Sequence, residues 1–505
     1  MSRALTADIG HVVLNGDRCR RWVVSAAGAI VVLGVYLPLA LKRSAWSDDF
    51  PIFLEGEYST AYRYFRPLMG LAFEISSDLV NTIDGLRAVR VIGVLGVAAF
   101  VGVVIWHLHR WGTTLATAFL VGVSVGFLPP FHGFAGWATT FFGGWLLVLA
   151  GYSSLAGVDG ILDRRPRLIV AGALGQAASL LFYPPLAMFG WGFVAMRSLV
   201  CRFRLQRSLR EMAAFGLLLG AVGTVTLVVG RLAYFLVDAE FVGRDRLIGS
   251  APQVIDKVVW FITHPVGVVA RPFVIASPGN LEAFGTAGPV LVLIAVGLHM
   301  RQQGSVLERV GSLAVLGLAA TLTMLFHLIA SDNQVEYRFM AGLTVIVWIY
   351  CVFAAREIGS TIGIYIDNRW GTGVMLIPKI GLAALTIVVV ASGWMAYKNV
   401  DQVFVEPSRV KEFFLVAALE DYDPGSYERI VVIDGDGIWP SRENLGIYST
   451  RSDLSHQWVP ESNVRQLLRE TGRWRSDGII DVVRAPTRLQ EGDYVVDLRL
   501  FARQL

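Results

Sequence analysis

Long apolar runs separated by short polar breaks dominate the chain up to about residue 398, and the pattern then changes. Trp22 to Leu41 is an apolar run without a single charge. Its length is what a helix needs to cross a hydrocarbon core of about 30 Å. Runs of this kind centre near residues 31, 97, 121, 147, 174, 192, 223, 291, 320, 347 and 388, which predicts about eleven transmembrane helices in a membrane domain over 1–398. From Asn399 onward "SRVKEFFLVAALEDYD" predicts an amphipathic helix, "RIVVID" a strand, "ESNVRQLLRETG" a helix opened by a Ser or Asn cap, and "DYVVDLRL" a strand. A small α/β domain over 399–505 follows.

Composition supports this division. Of 505 residues, 54% are hydrophobic and only 17% charged, and the mean hydropathy of +0.55 lies outside the range of soluble proteins. The first apolar run is too long for a secretory signal and is followed by Lys42 and Arg43 rather than small residues. It predicts a permanent helix. Cys19, Cys201 and Cys351 are too few for a disulfide framework. No fixed-period repeat or low-complexity tract is present.

Charge distribution sets an expected orientation, because short cytoplasmic loops retain Lys and Arg. "DRCRRW", "DRRPR" and "RSLVCRFRLQRSLR" are basic, whereas "LPPFHGF" and "FYPP" carry no Lys or Arg and "SDNQVEYR" carries only Arg338. The bias puts the N-terminus in the cytoplasm and places five segments outside: the first loop, 129–137, 183–185, 238–284 and 331–338. The C-terminal domain lies outside by the same parity.

The first of these loops, "SAWSDDFPIFLEGEYSTAYRYFRPL", holds Asp48 and Asp49 with Arg63, Arg66 and several aromatic residues. An acidic residue here could simply cap a short helix carrying Pro51 in its first turn. Carboxylates at a membrane surface also tend to face a cavity, which makes them functional candidates. Guanidinium groups suit phosphate and aromatic faces suit sugars or prenyl chains, although snorkelling, pairing with Glu55 and Glu57, or an interfacial aromatic belt would explain the same residues.

The acidic pair soon after the first helix, followed by Arg-Pro in "DDF…YFRPL", resembles the GT-C superfamily of membrane glycosyltransferases, in particular bacterial glucosyltransferases that modify O-antigen and other surface glycans. The segments "LPPFHGFAGWATTFF", "LFYPP" and "EYRFM" and the terminal α/β domain are similar too. The resemblance implies a polytopic GT-C-like enzyme of the bacterial plasma membrane. It would take a sugar from a polyprenyl-phosphate donor and transfer it, with inversion, to a surface glycan or glycolipid on the outer face. An acceptor hydroxyl must lose a proton as it attacks the anomeric carbon, so a carboxylate base is needed. The phosphate leaving group needs positive charge rather than a strong acid.

On that resemblance Asp48 is the expected base with Asp49 as its neighbour, the two being exchangeable. Arg338 matches the phosphate-binding cation that family members place in a late outer loop, and Arg66 matches the family's Arg-Pro position as a second phosphate or acceptor-side candidate. Arg63, His132 and His264 are weaker substrate-binding candidates, since a lone His is more often structural. Lys42 and Arg43 lie outside against the charge rule and would help to hold an anionic lipid. Asp48, Asp49, Glu55 and Glu57 could form an oxygen site for Mg²⁺ or Mn²⁺, but no spacing demands it.

Asp434 and Asp436 in "VVIDGDGIW" read as a turn after a strand rather than a nucleotide-sugar metal motif, because membrane helices precede them. His107 and His109 read as interfacial caps, Arg231 as snorkelling, and Gly216 with Gly220 as a close helix contact. No Walker loop, Rossmann fingerprint or nucleic-acid footprint appears. The rival function is a lipid-linked sugar flippase or secondary transporter, whose matched broken helices and mid-membrane charges this sequence lacks. A diphosphate-lipid polymerase would rely on arginines and need no acidic pair.

Overall fold

The computed structural model describes residues 2–64, 66–236, 247–273, 281–333, 335–370, 373–433, 458–475, 478–483 and 489–498. Helix α1 (Ser2–Ala40) leads into the first loop, which holds a wide-wound turn (Phe50–Leu54), α2 (Ser59–Arg63) and α3 (Pro67–Leu79). Then come α4 (Leu86–Arg110), α5 (Leu115–Gly126), α6 (Pro129–Gly136), α7 (Gly143–Leu162), α8 (Pro166–Phe182), α9 (Pro184–Ala187), α10 (Phe189–Val200) and α11 (Leu205–Leu236). The second half holds α12 (Ala251–Phe261), α13 (Gly267–Val269), α14 (Leu281–Arg301), α15 (Val306–Leu322), α16 (Leu325–Ile329), α17 (Tyr337–Trp370) and α18 (Gly373–Val400).

Among the described residues, six helices are long and apolar enough to cross a membrane: 18–40, 86–110, 138–162, 205–232, 337–366 and 377–418. The pair α5 and α6, bent by 61°, makes a seventh if counted as one broken span. The expectation of about eleven spans is therefore corrected. The remaining four runs are helical but do not qualify: α8 and α15 have 17 residues each and α10 has 12, about 25 Å and 18 Å at 1.5 Å per residue, and of the 21 residues of α14 only 287–301 count as a short apolar helix. Proline sets several of these limits, since it restricts the residue before it and cannot donate to a continuing helix. Leu128 precedes Pro129 and Tyr183 precedes Pro184, and both are extended. The chain is a polytopic, mostly helical membrane protein with a small C-terminal sheet.

Glycines bring α4 and α7 into backbone contact. A Cβ on Gly144 would lie 2.3 Å from the carbonyl carbon of Gly96, so neither helix tolerates a side chain at the crossing. Of the two glycines expected to make a close helix contact, Gly216 does so, its would-be Cβ lying 3.3 Å from the Trp191 side chain of α10, while Gly220 has no neighbour within 4 Å. Between the helices, Phe100 stacks with Phe131 at 5.5 Å, Phe131 meets Phe134 at 5.8 Å, and Phe189 and Phe193 close the cluster. This rigid aromatic core lies under the α5–α6 bend.

Helix α18 does not end at the membrane domain. It continues through a wide turn (Asp401–Val405) into α19 (Glu406–Ala418). Strands β1 (Arg429–Ile433), β2 (Ile479–Val483) and β3 (Asp493–Asp497) form a parallel sheet of order β2-β1-β3, and α20 (Trp458–Glu470) lies between β1 and β2 in the chain. β1 is central and almost wholly buried, as its apolar "RIVVI" requires. Because α20 begins at Trp458, Ser462 and Asn463 sit inside the helix rather than capping it, and both are buried. Asp434 and Asp436 lie outside the described residues.

Candidate active site

The first loop is held by a buried cation. Arg90 of α4 donates from Nε to the Ala40 carbonyl at 3.3 Å and from its terminal nitrogens to the carbonyls of Lys42 and Ser44. These acceptors are the open end of α1 and the start of the loop, which would otherwise be buried without donors. Ser47 then takes a left-handed backbone, φ 36°, a strained choice for a residue with a side chain. The strain falls on the residue immediately before the acidic pair.

That turn separates the two aspartates. Asp49 is fully buried, and its carboxylate accepts from the backbone N–H of Trp46 at 2.9 Å, the backbone N–H of Thr139 at 2.8 Å and the Thr139 hydroxyl at 2.7 Å. It therefore ties the first loop to the segment following α6. Although Asp49 occupies the N-cap position of the Phe50–Leu54 turn, its side chain makes no capping hydrogen bond there. Burial pushes its carboxyl up to about 6, with the Thr139 and Trp46 hydrogen bonds and the charge of Arg90 pulling in the other direction. Asp48 instead lines a cavity of about 1420 Å³.

The cavity gathers five stretches distant in sequence, one of them Gly223 to Arg231 of α11. Asp48, Glu57, Tyr64 and Arg66 come from the first loop, Thr139 and Thr140 from the segment after α6, and Tyr183 with Pro184 and Pro185 from the α8–α9 break. His327, Asp332, Glu336 and Arg338 come from the stretch joining α16 to α17. Arg66 lies over the Tyr183 ring at 4.6 Å and over Tyr64 at 5.4 Å. Arg338 lies over Trp137 at 5.0 Å and Phe339 at 4.9 Å and pairs with Glu336 at 2.5 Å. Aromatic faces thus fix both guanidinium groups at the wall.

Charge is shared across this space. Burial raises both the Tyr183 phenol and the Glu336 carboxyl, Arg338 opposes the rise in each, and the Asp48 charge adds to it. Four acidic residues, Asp48, Glu57, Asp332 and Glu336, and three arginines, Arg66, Arg231 and Arg338, therefore line a common volume. Such a set can accept a proton at one wall and stabilise developing negative charge at another.

Other expected site residues fall elsewhere. His132 is buried in α6, with Nε2 donating to the Phe127 carbonyl at 3.1 Å and its ring 6.4 Å from Tyr36, and it does not line the cavity. His264 pairs through Nδ1 with the hydroxyl of its neighbour Thr263 at 2.8 Å, also away from the cavity. Neither of these two expected residues lines this cavity. Arg63 ends α2, and its side chain lies outside the described residues.

Lys42 and Arg43 do not face lipid. Lys42 pairs with Asp401 at 2.8 Å, and Arg43 pairs with Asp84 at 2.7 Å, with Glu470 at 2.5 Å and with Glu412. Glu55 pairs with Arg465 at 2.8 Å. Asp48 and Glu57 line the cavity while Asp49 and Glu55 are engaged elsewhere, and among the described residues no three His, Cys, Asp or Glu side chains converge as a metal site. The oxygen site considered from sequence is not assembled. Arg231, exposed on α11, reaches the cavity wall.

The sequence reading overlooked Glu336, Tyr183 and His327 as site residues. Glu336 carries a legible signal, an acid two positions before the expected phosphate-binding Arg338. His327 carries none, being one polar residue within the apolar "LTMLFHLIA". No protein-family model and no curated protein matches the chain.

Proposed function

We propose that this protein is an inverting glycosyltransferase that moves a sugar from a polyprenyl-phosphate donor to a cell-surface glycan or glycolipid on the outer face of the bacterial plasma membrane. Asp48 removes the proton from the attacking acceptor hydroxyl, whose oxygen bonds to the anomeric carbon as the bond to the phosphate oxygen breaks. Arg66 and Arg338 take up the charge of the departing prenyl phosphate. Asp49 supports the loop and does not contact substrate. The observation carrying this reading is that Asp48 shares one cavity with both arginines, whereas its neighbour is turned away and fully satisfied.

The test is transfer by purified protein from synthetic polyprenyl-phosphate sugars to an extract of native surface glycan. Wild type is expected to transfer, and Asp48→Asn to bind donor while losing about 10² to 10⁴-fold in rate. Full activity in Asp48→Asn, or transfer from no donor, sinks the proposal and makes a lipid-linked sugar flippase or secondary transporter the reading to pursue.

A further inference from the structure

His327 is an unused polar group in the wall of this cavity. Its Nε2 is buried and makes no hydrogen bond among the described residues. Buried ring nitrogens are ordinarily satisfied, so one left without a partner in a residue that lines an open volume suggests a group whose partner arrives with the ligand. The ring is held by Phe339, 4.5 Å away, and Phe339 in turn stacks on Tyr183 at 6.2 Å. The imidazole is thus the polar edge of an aromatic shelf.

We propose that His327 is a specificity-determining residue that hydrogen-bonds a hydroxyl of the transferred sugar, with the shelf of Phe339 and Tyr183 beside the sugar ring. This inference rests on the glycosyltransferase reading and adds to it the group that reads the sugar. Two features favour a hydroxyl over the phosphate. The phosphate already has two guanidinium partners in Arg66 and Arg338, which match it in charge and geometry. His327 is neutral: burial first, then the charges of Arg66, Lys257 and Arg338, push its imidazolium down to about 3. A neutral imidazole donates from one nitrogen and accepts at the other, which suits a hydroxyl rather than an anion.

The test is a binding experiment that needs no turnover. Farnesyl-phosphate derivatives of glucose, galactose, mannose and N-acetylglucosamine are titrated into full-length protein in detergent, and the tightest is remade as its singly deoxygenated analogues. Wild type is expected to bind one deoxy analogue about tenfold more weakly than the parent, as loss of one buried hydrogen-bond partner implies. His327→Phe should bind the parent and that analogue equally, and His327→Gln, whose amide reaches toward the same place, should recover part of the difference.

Binding of farnesyl phosphate alone should be the same in all three proteins, which separates a sugar contact from general disruption of the cavity. If wild type discriminates among the analogues and His327→Phe discriminates identically, or if His327→Phe loses farnesyl phosphate and sugar derivatives equally, the assignment is wrong while the glycosyltransferase reading stands. If wild type binds none of the sugar lipids, both are overturned.

Discussion

A guanidinium nitrogen of Arg43 lies 2.5 Å from the carboxylate of Glu470, 427 residues later in the chain. The same side chain pairs with Glu412 and Asp84, so one cation joins α19, α20 and the loop before α4. Nearby, Glu470 accepts from the backbone N–H of Ile83 at 2.8 Å, Gln466 donates to the Asn81 carbonyl at 3.0 Å, and the Ala45 N–H donates to the Ser408 hydroxyl at 2.9 Å. The C-terminal domain is therefore fastened directly to the loop that carries Asp48.

Arg43→Ala should loosen that attachment. Two largely buried carboxylates, Glu412 and Glu470, and the exposed Asp84 would be left without their cation, and a loss of about 1–3 kcal/mol is expected. Hydrogen exchange read by mass spectrometry should show faster exchange in 406–418 and 458–470, with the helices at 86–110 and 337–366 unchanged. Arg43→Lys should restore little, because an ammonium cannot reproduce a planar fork shared among three acids.

Asp49 gives stability a pH signature. Its folded-state value of about 6 lies above the 3.8 of the unfolded chain. The native state consequently holds the extra proton between these values, and the contribution of Asp49 is greatest below about pH 4 and is lost as pH rises through 6. Unfolding profiles at pH 4.5 and 7 should show wild type gaining stability on acidification relative to Asp49→Asn, by about 2 kcal/mol. A parallel response of the two proteins would remove Asp49 as the source. Asp49→Asn itself should be less stable at both values, since an amide nitrogen cannot accept from Thr139.

Arg338 pairs with Glu336, and the proposed function gives it a second purpose, phosphate binding, that a double-mutant cycle can separate from the first. Arg338→Gln strands the Glu336 carboxylate, which is only 1% exposed, and should cost about 3 kcal/mol of stability as well as weakening binding of farnesyl phosphate. Adding Glu336→Gln should recover most of the stability but none of the phosphate binding. Recovery of both would show that Arg338 only neutralises its neighbour.

Gly144→Ala tests the helix crossing independently of any function. Its new methyl would press on the Gly96 backbone, which cannot rotate aside, and the helices must separate. A drop of several degrees in the thermal midpoint is expected. An unchanged midpoint would mean that α4 and α7 can part freely.

Helices and strands were legible where periodicity was strong: all eleven apolar runs are helical, and the terminal helices and strands appear where the pattern puts them, with β2 the element it did not single out. Span count was not legible, because hydropathy reports apolar content while the Pro129, Pro130, Pro184 and Pro185 breaks decide helix length. Asp48, Arg66 and Arg338 were identifiable as a set. Which aspartate faces the cavity was not, since that depends on the left-handed turn at Ser47 and on Thr139, 90 residues away. The pairing of Arg43 was equally hidden, because positive charge beside a membrane helix looks the same whether it meets lipid or a distant helix of the same chain.

The uninterrupted helical path from Ile377 to Ala418 has a mechanical consequence. Its 42 residues amount to a shaft about 60 Å long, roughly twice the thickness of a hydrocarbon core. Lys42 grips it at Asp401 and Ala45 at Ser408. The outer part of this shaft is thus joined to the residues a few positions before Asp48, so a shift of the helix axis would bear on the first loop as well as on the terminal domain.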